Sequence, residues 1–241
     1  MLHPGAAQTL TFILANVKPP ASVLEVGCGD GALAKLLIDA GFSVCAIDKN
    51  NEAVGKSRAH GVQAIEIGLL EYAPNTEFDA ILFSRSLHHI ETPENAVRHA
   101  CTLLKNDGML LLEDFCRELM DQESALWFFG LKAVLAANGK PLKGHGPKLE
   151  DGQIPANPVD AWNAHHLGKH SLADSNQMRR AIELRCNIVE EQHVPYLYRY
   201  FLDDVEPAQG EQILSWEKAL CESGVVLPIG LRIVARKRTQ F

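Results

Sequence analysis

The chain has 241 residues, 46% of them hydrophobic and 22% charged, with a formal net charge of −7 at pH 7. That length buries a sizeable core and suits one domain carrying an insertion. The acidic balance argues against a nucleic-acid partner, which calls for a basic face, and no apolar run of about 18 residues exists to span a membrane.

The start, "MLHPGAAQTL", lacks a basic segment ahead of an apolar core, so no signal peptide is expected. Cys28, Cys45, Cys101, Cys116, Cys186 and Cys221 are scattered without a CxxC pair. This usage predicts reduced thiols in a cytoplasmic protein rather than a disulfide framework.

Residues 6–17 predict a short amphipathic helix ended by "KPP", because two prolines cannot continue it. "SVLEV" is a short β-branched strand that stops at glycines, and "ALAKLLIDAG" is a helix closed by Gly41. Next come a strand in "SVCAID", a helix in "EAVGKSRAHG" and a strand in "AIEIGL". "FDAILFS" is a fourth strand, "PENAVRHACTLL" a helix with Pro93 near its start, and "GMLLLED" a fifth strand. Short apolar strands alternating with helices predict an α/β fold with a parallel sheet covered on both faces.

The alternation then breaks. Residues 117–138 read as a helix rich in large apolar groups, with Trp127, Phe128, Phe129 and Leu131 in its core face. Residues 139–160 hold four glycines and four prolines and predict loop. Within it, "GKPLKGHGPK" places Lys140, Lys143, His145 and Lys148 on a solvated, mobile segment. A helix over 174–184, a strand in "NIVEEQHVPYLYRY", a helix near 208–222 and a strand in "GLRIVARK" complete the chain. The expected organisation is an N-terminal helix (1–20), a ligand-binding core (21–116), a cap or lid (117–185) and the rest of the core sheet (186–241).

"VLEVGCGDGALAK" is the most informative stretch. Gly27, Gly29 and Gly31 lie between a strand and a helix, where missing Cβ atoms let the backbone turn tightly and approach a ligand. Asp48 ends the next strand, where a carboxylate accepts ribose hydroxyls. Gly27, Gly29 and Ala32 also satisfy GxGxxA, so a nicotinamide-dependent oxidoreductase has to be weighed. Against it stand Glu25, an acid inside the strand that suits a cationic ligand group, the extra glycine at 31, and the lack of a second mononucleotide half.

These residues resemble the class I S-adenosylmethionine-dependent methyltransferases. "VLEVGCGDG" is similar to that family's first motif, "AID" to its ribose-binding acid, "FDAILFSRSLHHI" to its fourth strand and loop, and "LLKNDGMLLLED" to its fifth strand. The resemblance covers residues 20–115 well and 229–237 more loosely. It implies a doubly wound, seven-stranded, mostly parallel sheet with an antiparallel last strand and a helical and loop cap after the fifth strand. It also implies S-adenosyl-L-methionine as cofactor and methyl transfer to a small-molecule acceptor. By that resemblance Glu25, Gly27, Cys28 and Gly29 line the methionine end of the cofactor, Asp48 holds the ribose, and Lys49 lies along the adenine edge. The backbone of Phe83 and Ser84 faces the cofactor's amino group. One departure stands out: Gly68 in "IGLLEY" occupies the place of an adenine-reading Asp. Glu71, or backbone at Leu69 and Leu70, is then left to read the base.

In-line methyl transfer needs alignment and exclusion of water, and a base only where the acceptor must lose a proton. His88 and His89 follow the fourth strand, and His89 is the better pocket-facing candidate; Arg85 suits a substrate or cofactor carboxylate. Tyr196, Tyr198 and Tyr200 alternate along the predicted strand, so Tyr198 is a candidate for an acceptor site. "AWNAHHLGKH" puts His166 and His170 four residues apart, but Gly168 lies between them and no third ligand completes a metal set. There, His165 or His166 is expected to face the acceptor and His170 the surface. The other class of function compatible with these residues is a cofactor-binding regulator without turnover, for which Gly68 is the main support.

Overall fold

The structure is a computed structural model that describes residues 4–137, 142–144, 146–167 and 172–238. In chain order its elements are α1 (Pro4–Asn16), β1 (Ser22–Val26), α2 (Ala32–Asp39), β2 (Ser43–Asp48), α3 (Asn51–Ala59), β3 (Ala64–Glu66) and β4 (Phe78–Ser84). They continue with α4 (Pro93–Leu103), β5 (Leu104–Phe115), α5 (Gln122–Ala136), α6 (Pro158–Leu167), α7 (Ser175–Glu183), β6 (Cys186–Val194), α8 (Pro207–Glu222) and β7 (Gly230–Lys237).

The seven strands form one sheet in the order β3-β2-β1-β4-β5-β7-β6. β1 pairs in parallel with β2 and β4, β2 with β3 and β4 with β5, while β7 is antiparallel. β1 and β4 are buried along almost their whole length, as expected of strands covered on both faces. Phe12, Ile13, Leu33 and Leu37 pack with Val23, Ala80 and Leu82 in one cluster, and Ala34, Ala46, Val54, Val62 and Ala64 form another. The chain runs outward from β1 to β3 and then returns to β4. The order therefore reverses between β1 and β4, and open α/β sheets bind ligands outside the carboxyl ends of such strands.

The chain divides into two compact units. The sheet unit comprises Ala6–Asp114, Ala173–Gln192 and Leu231–Phe241. In it α1 is tied to the sheet through buried Glu113, which accepts from Thr9 Oγ1 and from Arg232 Nε and Nη2. The cap expected over 117–185 differs here, since α7 belongs to the sheet unit and packs against α4.

The second unit comprises Met1–Gly5, Phe115–Leu172 and His193–Gly230. Its core is aromatic: Phe128, Phe129, Trp162, Tyr196, Tyr198 and Phe201 are all buried. The strand predicted through the three tyrosines ends earlier, at Val194, and Leu197–Phe201 is a 3-10 turn. Pro195 has no N–H to continue a ladder. The buried Glu217 carboxylate takes the next three backbone N–H groups, of Tyr196, Leu197 and Tyr198, at 2.7, 2.9 and 2.6 Å. Loop 139–160 is also shorter than predicted, because Pro158 opens α6 at a position where its missing N–H costs nothing. Its described part is tied down: Lys132 Nζ donates to Pro147 O at 2.6 Å, and Asp204 accepts the Lys143 and Gly144 N–H groups. The Lys143 and Lys148 side chains are exposed, whereas Lys140 and His145 lie outside the described residues.

Candidate functional site

β1 ends in the glycine turn. Gly27 has φ +73°, and a Cβ there would stand 2.6 Å from the Ser86 Cβ, so no larger residue fits. Gly29 also has positive φ, with open space where its side chain would be. The donors at Gly27, Cys28, Gly29 and Gly31 are already engaged within the protein. The N–H groups of Gly27 and Cys28 bond Ile47 O at 2.8 and 3.1 Å, and that of Gly31 bonds Cys28 O at 3.0 Å. Gly29 N donates to Asp48 Oδ2 at 2.9 Å and Ala32 N to Asp30 Oδ1 at 3.1 Å. A phosphate cradle needs such N–H groups directed at the ligand. This turn instead offers room and lone pairs.

Glu25 stands beside it in β1, paired in register with Ala46 and Leu82. It is only 2% exposed, and its Oε2 has no hydrogen-bond partner. Burial pushes its carboxyl up to about 8, opposed by the positive charge of Arg85 and reinforced by Asp30 and Asp48. A buried acid with an unbonded oxygen, among other acids, fits a cationic donor group. Burial pushes the neighbouring Cys28 thiol up to about 12, so it remains protonated and acts as a small apolar wall.

Asp48 closes β2 with its carboxylate held from two sides, by Gly29 N at Oδ2 and by Asn50 N at Oδ1, the latter at 2.8 Å. Each oxygen keeps further acceptor capacity, which suits a pair of hydroxyls. Lys49 next to it is exposed. After β3, Ile67 N bonds Asp48 O at 2.9 Å, which brings Gly68 and the 3-10 turn Leu69–Glu71 alongside. Leu69 is buried and Leu70 exposed. Gly68 has ordinary extended backbone, φ −76° and ψ 154°, and a Cβ built on it falls onto Glu71 Oε2.

Ser84 ends β4, buried and in register with Glu113 of β5. Arg85 follows with φ +54°, a left-handed conformation uncommon outside glycine, held by a 2.7 Å bond from its N–H to Glu113 O. The 3-10 turn Leu87–His89 separates the two histidines. His88 is 6% exposed and its Nδ1 lies 2.6 Å from Oδ1 of fully buried Asp114, at the end of β5. His89 is exposed, with its ring centroid 4.0 Å from that of His88. Asp114 and the buried Ser86, whose Oγ has no hydrogen-bond partner, were not singled out by sequence. The available signal for Asp114 was its place at the carboxyl end of the strand next to β4.

His165, His166 and Tyr198 belong to the second unit. His165 is exposed on α6, while His166 is buried with both ring nitrogens bonded. Its Nδ1 donates to Trp162 O at 2.9 Å, which makes Nε2, 3.0 Å from Tyr200 Oη, the acceptor. Tyr198 is buried in the aromatic core. His170 lies outside the described residues, and among those described no three His, Cys, Asp or Glu side chains gather as a metal set.

A family model described as "Methyltransferase domain" matches residues 2–184. A ubiquinone biosynthesis O-methyltransferase from Xanthomonas axonopodis pv. citri (strain 306) is 33% identical over 127 residues, 48% of this chain and 52% of that protein. One from Xylella fastidiosa (strain M23) is 38% identical over 130 residues, 49% and 52% of the two chains. The chain thus spans about half the length of the curated relatives it matches. Among solved structures, the N-methyltransferase NodS from Bradyrhizobium japonicum WM9, in complex with S-adenosyl-L-homocysteine, superposes with a TM-score of 0.57 at 13% identity. The match covers 97% of this chain and 86% of that one. Geranyl diphosphate C-methyltransferase from Streptomyces coelicolor A3(2) gives 0.57 at 13% identity, covering 98% and 76%. These distant structures share the fold, and the match over residues 2–184 shows that the chain belongs to the methyltransferase-domain family.

Proposed function

We propose that this chain is an S-adenosylmethionine-dependent methyltransferase acting on a small-molecule acceptor in the cytoplasm. The observation that carries this is the glycine turn, whose N–H groups are engaged internally while buried Glu25 beside it keeps an unbonded carboxylate oxygen. Such a turn suits an amino acid ammonium and a nucleoside, and it opposes the pyrophosphate of a nicotinamide cofactor. Asp30 and Asp48 add negative charge that a pyrophosphate would meet unfavourably.

Each residue's part follows from its surroundings. Glu25 takes the cation, Gly27, Cys28 and Gly29 leave room for the methionine end, and Asp48 accepts the ribose hydroxyls. Lys49 flanks the adenine edge, Leu69 and the Gly68 backbone pack against the base, and Glu71 supplies the carboxylate absent at position 68. Ser84 contributes backbone at the amino-acid end, and Arg85 is the candidate for an anionic acceptor. When bound, S-adenosylmethionine supplies an electrophilic methyl group with a neutral thioether as leaving group. The role of base falls to His88 rather than His89, because Asp114 orients its Nδ1–H and so makes Nε2 the basic nitrogen. The curated relatives are named as ubiquinone biosynthesis O-methyltransferases, which supports a small-molecule acceptor here. The six cysteines, all present as thiols, support a reducing compartment.

Incubation with methyl-labelled S-adenosylmethionine and a metabolite extract tests turnover. Label recovered in a small-molecule product is expected. Label that stays wholly on a bound cofactor would make the chain a binding protein without turnover and overturn the enzymatic assignment.

A further inference from the structure

Away from the glycine turn, the sheet unit brings two thiols together. Cys101 lies near the end of α4 and Cys186 opens β6, 85 positions later in the chain. Their Sγ atoms are 3.4 Å apart, one thiol hydrogen-bonded to the other, with Cys101 8% and Cys186 0% exposed. Nothing in the proposed methyl transfer uses either. Neither is a lone buried thiol, and the charges around them share one sign: Lys237 and Arg185 act on Cys101, and Arg238 and Lys237 on Cys186. The Cys186 hydrogen bond, aided by those cations, holds the Cys101 thiol below its usual range, while the same bond and burial raise that of Cys186. Cys101, the more exposed of the two, is therefore the nucleophile and Cys186 the resolving thiol. An open groove of about 550 Å³ at this edge of the sheet is lined by Arg179, Glu183, Cys186 and Arg238 among others.

We propose that Cys101 and Cys186 form an oxidation site for hydrogen peroxide, closing to an intramolecular disulfide that fastens α4 to β6. The Cys101 thiolate attacks one peroxide oxygen and breaks the O–O bond. This leaves a sulfenic acid on Cys101, and the departing oxygen leaves as water after taking a proton. Cys186, losing its proton, then attacks the Cys101 sulfur and expels hydroxide, which that proton converts to a second water. Two thiols and one peroxide give one disulfide and two waters. No large rearrangement is required, because the two sulfurs already touch and need only close to bonding distance. The bond would span a long loop, so the oxidised chain should unfold at higher temperature than the reduced one.

The test treats the fully reduced intact chain with equimolar hydrogen peroxide and follows its mass and non-reduced peptide map. Expected are a loss of two hydrogen masses, a Cys101–Cys186 peptide pair, reversal by dithiothreitol and a raised melting temperature. Cys101→Ser should abolish the mass loss, and Cys186→Ser should leave a sulfenic acid on Cys101 that dimedone traps. A disulfide joining other cysteines, a disulfide between two chains, or oxygen addition with no mass loss would overturn the assignment. None of these outcomes depends on cofactor binding.

Discussion

The Glu71 carboxylate lies in the space that a side chain on Gly68 would fill. The backbone at Gly68 is conformationally ordinary, so a side chain there would displace the Glu71 carboxylate rather than strain the chain. A carboxylate is thus returned to the end of β3 from three residues further along.

Glu71→Ala should weaken S-adenosylhomocysteine binding about tenfold, the value of one charge-assisted hydrogen bond. It should leave binding of the inosine analogue, which lacks the exocyclic amine, nearly unchanged. Gly68→Asp alone should clash with Glu71, whereas Gly68→Asp combined with Glu71→Ala should restore affinity. Calorimetry with both ligands checks this, and equal losses for the two would refute the role of Glu71.

Glu25 makes cofactor affinity depend on pH. Its folded-state value of about 8 lies above the ordinary 4.5. The stability it contributes is therefore present below about 4.5 and lost as pH rises through 8. A bound cation favours the ionised form, so binding below pH 8 should release a proton, and affinity should rise with pH up to about 8. Titrations in buffers of different ionisation heat measure that proton. Glu25→Gln should abolish the release and lower affinity; a buffer-independent heat in the unmodified chain would contradict the assignment.

Asp48 both orients the glycine turn, through Gly29, and offers acceptors to a ribose. Asp48→Ala should cost roughly 10- to 100-fold in S-adenosylhomocysteine affinity and, by removing the acceptor of Gly29 N and Asn50 N, should also lower the melting temperature of the free chain. The same titration on a 2′-deoxy analogue should show a smaller loss, because part of the contact is already gone. An unchanged affinity for the parent ligand would exclude the ribose role.

In the second unit Glu217 holds the turn that carries Tyr198. Gln presents one acceptor oxygen and one donor NH₂ group, and the latter would face the N–H that now bonds Oε2. Glu217→Gln should therefore destabilise by about 1–3 kcal/mol, read from the urea midpoint. Burial raises the Glu217 carboxyl to about 7 against the pull of its three N–H donors. Its contribution to stability is accordingly present below the usual carboxylate range and lost as pH rises through 7, a dependence the variant should lack. An unaltered urea midpoint would show that the three bonds add nothing.

What could be read from sequence was short-range. Glu25, Gly27, Gly29 and Asp48 are set by strand–turn–helix spacing, and the βαβ alternation gives a parallel sheet covered on both faces. The features missed depend on contacts between distant segments. Tyr196–Tyr200 alternate as a strand would, but Glu217, some twenty residues later, turns them into a 3-10 segment. Sequence favours His89 as the pocket-facing group, whereas His89 is exposed and the pairing of β4 with β5 places Asp114 against His88. His166 suggested a ligand until Trp162 and Tyr200 took both its nitrogens.

The most direct test is a parallel titration of the intact chain with S-adenosylhomocysteine and with NAD. Saturable binding of S-adenosylhomocysteine and no binding of NAD are expected, because the turn's N–H groups are engaged and an acid stands where a phosphate would lie. Binding of NAD without binding of S-adenosylhomocysteine would contradict the central claim.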